Sequence, residues 1–273
     1  MTAQSVAIEP NAKRRFRNGM FLGFPTVLRK ELTEWLRGPK FLIVAGVSIA
    51  GAVFMTLIPY ISKLTNEAAE SGADRSPLVL TMDPTTNVLL GWTGQTVALI
   101  VVVATMALVS AERDRGTLAW SLTNPVSPTS VIAAKFVGAF VVLGLAAVFL
   151  PLVVSSALAT VVYGGVPDLA TVATFGLLFL TLPAFYIALT VGLGTGIKST
   201  AGVAGVAFAV MFVPQILGGL IPVIAEVSPT SIGAWAMAAA TGQPAPTLTF
   251  VGWLVSMAVL LIGAKVVFDR QEV

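Results

Sequence analysis

An all-α, polytopic membrane protein with six transmembrane helices is the fold class that three features of the sequence predict. First, 56% of the 273 residues are hydrophobic and only 11% are charged, against roughly 25% charged in soluble domains. A single soluble domain of this composition would lack the polar groups to cover its surface. Second, six runs free of Asp, Glu, Lys and Arg occupy about 41–58, 91–110, 136–162, 169–193, 201–224 and 248–264. Each is close to the roughly 20 residues that cross a bilayer as a helix. Third, 14 of the 16 basic residues fall in segments on one side of those runs, and only Lys63 and Arg75 fall on the other. Lysine and arginine mark the cytoplasmic side, so the expected topology is N-in, C-in, in the cell (cytoplasmic) membrane.

Residues 1–23 carry Lys13, Arg14, Arg15 and Arg17 and read as a mobile, basic cytoplasmic N-terminus. The first apolar run is not expected to be a cleaved signal peptide, since 40 residues precede it and no small-residue cleavage site follows. Residues 24–37, FPTVLRKELTEWLR, read as an interfacial elbow helix with Pro25 in its first turn. Phe24, Val27, Leu28, Leu32, Trp35 and Leu36 share one face at helical spacing, and Arg29, Lys30, Thr33 and Arg37 lie on the other. Gly38-Pro39 then turns the chain into the first span. Glu31 breaks the pattern by projecting from the middle of the apolar face. A carboxylate there costs free energy unless a cation meets it, and Arg113 and Arg115 are the expected cations. The competing expectation is that Glu31 snorkels to water.

Residues 38–268 form one expected transmembrane domain. The outer loop 59–90 is polar, is broken by Ser76-Pro77 and Asp83-Pro84, and reads as solvated. The loop 111–135, AERDRGTLAWSLTNPVSPTSVIAAK, joins the second and third runs. Glu112 to Arg115 closes the second run, 116–123 can form a short helix with Leu118 and Leu122 four apart, and Asn124-Pro125 stops it. Ser127-Pro128 restarts a helix, serine as cap and proline at its first position. A plain connector would need only a few residues, and Leu118, Trp120 and Leu122 would stand exposed on it. In 226–247, the stretch 232–240 is too short to span and too apolar for an ordinary loop, so a re-entrant or interfacial helix at the outer surface is expected. Pro214 and Gly218-Gly219 should bend the fifth run. The eight methionines read as gap-filling core residues. Residues 269–273 are left as a cytoplasmic tail.

The elbow RKELTEWLR, the six runs and the loop ERDRGTLAWSLTNPVSPTSVIAAKF together resemble the membrane subunit of an ABC-2 type transporter. Glu112, Gly116, Thr117, Pro125, Ser127 and Lys135 stand in the order usual for that family. The resemblance is nearest to the stand-alone permeases related to the nitrous-oxide-reductase maturation permease, and it covers essentially the whole chain. It implies that 116–123 is a coupling helix seated in a cleft of a cytoplasmic ABC ATPase, with Glu112, Arg113, Arg115, Gly116, Thr117, Leu118, Leu122 and Pro125 at that contact and Arg29, Glu31 and Trp35 in the elbow. It also implies an ATPase dimer that holds ATP and Mg, and a second permease copy, identical or a related paralogue. Export is the family's usual direction.

The residues bound the function further. No histidine and no cysteine are present, which removes zinc, haem and thiol sites and histidine acid–base chemistry from this chain. Charge-free spans argue against proton- or sodium-coupled transport and against an intramembrane enzyme. No G-x-x-x-x-G-K-[ST] loop occurs, and the run Gly192, Gly194, Gly196 beside Lys198 lacks its spacing. The chain is therefore expected to be no enzyme and to hold no cofactor. The net charge of +3 sits beside apolar runs, so lipid rather than nucleic acid is the expected partner. The reading that follows is the permease subunit of an ATP-driven transporter. The alternative is a membrane scaffold, assembly or sensory protein without transport of its own.

Overall fold

Glycine and proline set the bounds of the first helix. Gly23 stands in the left-handed region (φ 79°), Pro25 sits in the first turn, and the N–H of Gly38 closes the helix on the Glu34 carbonyl at 3.1 Å. This is α1, Phe24–Arg37, the elbow at the bounds its periodicity predicts. The computed structural model describes residues 21–69, 83–91, 94–114 and 127–269. Among them there is no β-strand, and six helical stretches are long and apolar enough to cross a membrane: Pro39–Ser62, Pro84–Glu112, Thr129–Tyr163, Leu169–Gly196, Thr200–Leu220 and Thr247–Val267.

The spans are built from α2 (Pro39–Ala69), α3 to α5 (Pro84–Gly91, Gly94–Thr105, Ser110–Asp114), α6 and α7 (Pro128–Leu143, Leu150–Tyr163), α8 and α9 (Leu169–Phe179, Thr181–Gly196), α10 (Thr200–Leu220) and α13 (Thr247–Asp269). Between α10 and α13 lie α11 (Pro222–Val227), a single 3₁₀ turn at Pro229–Ser231, and α12 (Ile232–Ala240). The fourth span is central, with 67% of its most apolar window buried, whereas the fifth and sixth reach 17% and 6%. Their outward side chains are large and apolar, Ile216 at 66% and Val259 at 65% exposure among them. Exposed apolar faces of this extent suit hydrocarbon rather than water.

Several boundaries differ from those set by the apolar runs, and capping explains each. Asp83 accepts from the N–H and the hydroxyl of Thr86 at 2.8 and 2.5 Å, so the second span starts at Pro84, not at 91. The same hydrogen bonds hold the Asp83 carboxyl below the usual range. Ser127 accepts from the N–H of Ser130 at 3.2 Å and starts the third span two turns before 136, which places Lys135 inside it. Ile221 and Pro222 end the fifth span at Leu220, short of 224, because proline cannot donate to the continuing helix. Pro59, by contrast, is carried within α2, and the helix continues to Ala69, so the outer loop expected from 59 is shorter.

Breaks inside spans follow the same chemistry. The third span passes through a π-helical segment at Gly144–Phe149, just before Pro151. In the fourth, Pro183 leaves no N–H for the carbonyl of Phe179, and the helix breaks at Leu180. Thr181 ties that break: its hydroxyl donates to the Leu178 carbonyl at 2.6 Å, and its own carbonyl accepts from the Trp253 indole at 2.9 Å.

The sixth span also clasps α11. Thr249 donates to the Glu226 carbonyl at 2.6 Å, and a Cβ at Gly252 would collide with the carbonyl of Val227, whereas Gly263 on the same helix has open space. Gly252→Ala should therefore lower the unfolding midpoint of the purified protein, at the ~1–3 kcal/mol scale of overpacking. Gly263→Ala should be neutral or slightly stabilising. Size-exclusion profiles after a heating series would check both, and an equal response at the two glycines would contradict the packing described.

Candidate functional site

A lysine two turns into an apolar helix must find carboxylates or lose its charge. Lys135, buried in α6, finds two. Its Nζ lies 2.9 Å from Oε1 of Glu31 on the elbow and 2.8 Å from Oε1 of Glu112 in α5. The side chains of Lys135 and Glu31 are 3% and 4% exposed, and that of Glu112 is 28% exposed. The elbow and two later helices thus meet on one ammonium.

The surrounding backbone is shaped for that meeting. Three residues beyond Lys135, a Cβ at Gly138 would lie 3.1 Å from Cβ of Glu31 and 3.8 Å from Cδ1 of Leu28, so glycine lets the elbow lie directly on α6. At the head of α6, the N–H of Ser127 donates to the carbonyl of Leu22 at 3.1 Å. Elbow and third span are therefore fastened at successive heights. Beside the cluster, a cavity of about 510 Å³ is lined by Glu31, Glu34, Trp35, Gly38, Pro39, Lys40, Ala107, Leu108, Ala111, Glu112 and Lys135. The ammonium of Lys40 stands 5.8 Å from the centroid of the buried Trp35 ring.

Two hydroxyl pairs extend polar contact from the second span. Thr105 meets Thr190 of α9 at 2.8 Å, and Ser110 meets Thr200 of α10 at 3.1 Å. Gly194 permits the approach, since a Cβ there would lie 2.9 Å from Cβ of Val109.

A family model described as ABC-2 family transporter protein matches residues 25–273. The chain belongs to that family. No curated protein matches it. As an ABC-2 permease, the chain is a multi-pass membrane component of an ABC transporter and not itself the catalytic part, and the family as a whole implies an ATPase component as partner.

The residues singled out from the sequence are distributed unevenly around this centre. Glu31, Trp35 and Glu112 belong to it. Arg29 is exposed on the far face of the elbow, where its carbonyl accepts from the Thr33 hydroxyl at 2.7 Å. Arg113 lies in α5 with only its backbone described, and Arg115, Gly116, Thr117, Leu118, Leu122 and Pro125 lie outside the described residues. Among the described side chains, the cation that meets Glu31 is Lys135, a residue that the sequence does not single out for this role; the expected cations, Arg113 and Arg115, have side chains outside the described ones. A charge next to an apolar run reads as the end of a span, which hides a lysine that lies inside one. The signal that could have found it is the Ser127-Pro128 start, which puts the eighth helical residue at Lys135 with no turn signal between it and the apolar run.

Removing one partner of a buried pair costs about 3–5 kcal/mol, whereas an exposed pair is worth about 0–1 kcal/mol. Glu34 supplies the comparison, since it pairs with Lys30 at 3.5 Å with both side chains more than half exposed. Glu31→Gln should lower the thermal midpoint of the purified permease markedly, and Glu34→Gln should leave it nearly unchanged. Equal midpoints for the two variants would show that the cluster is not held as described.

Proposed function

We propose that this ABC-2 permease is the transmembrane subunit of an ATP-driven exporter of the cell membrane, nearest to the stand-alone permeases related to the nitrous-oxide-reductase maturation permease. A separate cytoplasmic ATPase dimer docks on the 116–123 segment, and a second permease copy completes the pathway. The observation that carries this reading is the Glu31–Lys135–Glu112 cluster, because it joins the elbow, the end of the second span and the first turns of the third, close to the loop that connects those two spans. A push on that loop reaches all three elements through one ionic centre. The concentration of basic residues at the elbow end supports its cytoplasmic placement and both termini inside.

Docking and sidedness are tested separately. Replacing Leu118 and Leu122 with aspartate should leave the permease in the membrane and abolish co-purification of the ATPase encoded with it, and unchanged co-purification would remove this loop from the interface.

For sidedness, the chain has no cysteine of its own. Val166→Cys is preferable to a change at Asp168, whose carboxylate caps α8 by accepting from the N–H of Ala170 at 3.1 Å. In intact cells Val166→Cys should react with an impermeant maleimide and Lys198→Cys should not. The reverse pattern would invert the topology.

A further inference from the structure

The charges of the elbow are sorted by row. Glu31 is held by Lys135 and Glu34 by Lys30, so both acids of α1 already meet a lysine. Arg29 and Arg37 are exposed, and no carboxylate among the described residues meets either. They stand on one row of the helix with Thr33 between them, about 12 Å apart along the axis. The neighbouring row is apolar: Pro25, Leu28, Leu32 and Leu36, at spacings of three and four. A groove of about 350 Å³ lies between the two rows and is lined by these residues and by no acid. That volume falls within the roughly 300–1,000 Å³ of small-molecule sites.

Two guanidiniums along the edge of an apolar groove match a ligand that carries both a phosphate and a hydrocarbon chain. Thr33 adds no donor, because its hydroxyl proton goes to the Arg29 carbonyl at 2.7 Å. With no carboxylate on the groove, nothing there would receive the ammonium of a zwitterionic headgroup, and net negative charge is favoured. Position indicates the source. α1 ends two residues before the first span starts at Pro39, and its apolar row closes on Leu36, which is 52% exposed. Leu42 and Ile43 follow in that span at 71% and 62% exposure, so an acyl chain reaches the groove from the bilayer edge. We propose that the groove is a binding site for an anionic phospholipid. Its acyl chains lie along Leu28, Leu32 and Leu36, and its phosphate seats between Arg29 and Arg37 and accepts their N–H groups. The site needs only α1 at the edge of the membrane, and it stands or falls apart from the docking of an ATPase.

The test uses the purified full chain, delipidated and then equilibrated in detergent with equal amounts of phosphatidylglycerol and phosphatidylcholine of identical acyl chains. Retained lipid is counted by native mass spectrometry. The wild type should prefer the glycerol lipid, with about fivefold of that preference from each arginine, the scale of one basic residue at an anionic lipid surface. Arg29→Gln should cut the preference about fivefold, and Arg29→Gln combined with Arg37→Gln should cut it about 25-fold. Both side chains are exposed, so the elution profile should not change. Arg37 also stands in the last turn of α1, where a cation meets the helix dipole, which makes Arg29→Gln the cleaner single variant. Lys198→Gln, an exposed basic residue outside the elbow, should leave the preference unchanged. The basic residues at 13–17 are present in every variant and cannot produce a difference between them. Equal retention of both lipids by the wild type would overturn the proposal and leave the arginines to an acidic partner protein. An equal loss in Lys198→Gln and Arg29→Gln would overturn the location. Displacement of the lipid by soluble glycerophosphoglycerol at equal concentration would overturn the lipid source.

Discussion

Burial of the Lys135 ammonium is the constraint on which the elbow end depends. Taking one charge out of water costs several kcal/mol, and an unpaired ammonium in hydrocarbon is not tolerated. The chain answers with carboxylates from two other elements, and that answer fixes their positions. Glu31 holds its place on an otherwise apolar elbow face because Lys135 meets it at 2.9 Å. Gly138 keeps the space for that approach, as any side chain there would press on Glu31 itself. The amphipathic elbow thus serves two surfaces: its exposed face carries Arg29 and Arg37, and its buried face carries one acid and Trp35.

Away from that end the bundle is held by packing and by single hydroxyls. Hydrophobic driving force is absent between helices in lipid, so close approach and internal hydrogen bonds carry the association. Gly194 against Val109 and Gly176 against Leu152 are such approaches, and the Thr105–Thr190 and Ser110–Thr200 contacts are such bonds. The proline-associated breaks lie in the third and fourth spans, the ones most enclosed by neighbours. This is where non-ideal backbone can be satisfied by protein rather than exposed to hydrocarbon. Trp253 shows how, donating its indole N–H to the carbonyl at the break of the fourth span.

Composition and charge-free runs made the fold class and the six spans legible, and amphipathic spacing made the elbow legible to the residue. The nine-residue apolar stretch 232–240 is a helix, α12, as its length and composition predict. What the runs did not reveal were the ends of the helices, because apolarity marks depth in a membrane whereas caps mark where a helix starts. Asp83 and Ser127 are therefore the informative residues for the second and third spans, and both are polar. The break at Leu180 follows from Pro183, whose consequence depends on which neighbour can satisfy the freed carbonyl. The site is half legible: Glu31 stands out as misplaced on an apolar face, yet its partner is 104 positions away and borders an apolar run, where a charge reads as the end of a span.

An ionic cluster is a costly way to join three helices, and well-packed apolar side chains of the same volume often serve as well or better for stability alone. Its distinguishing property is direction. Apolar faces of the elbow and the third span could slide by a turn at little cost, whereas an ammonium between two carboxylates fixes one arrangement. In a permease whose second and third spans are joined by the loop proposed to receive an ATPase, that single arrangement would let displacement of the loop root be shared by the elbow.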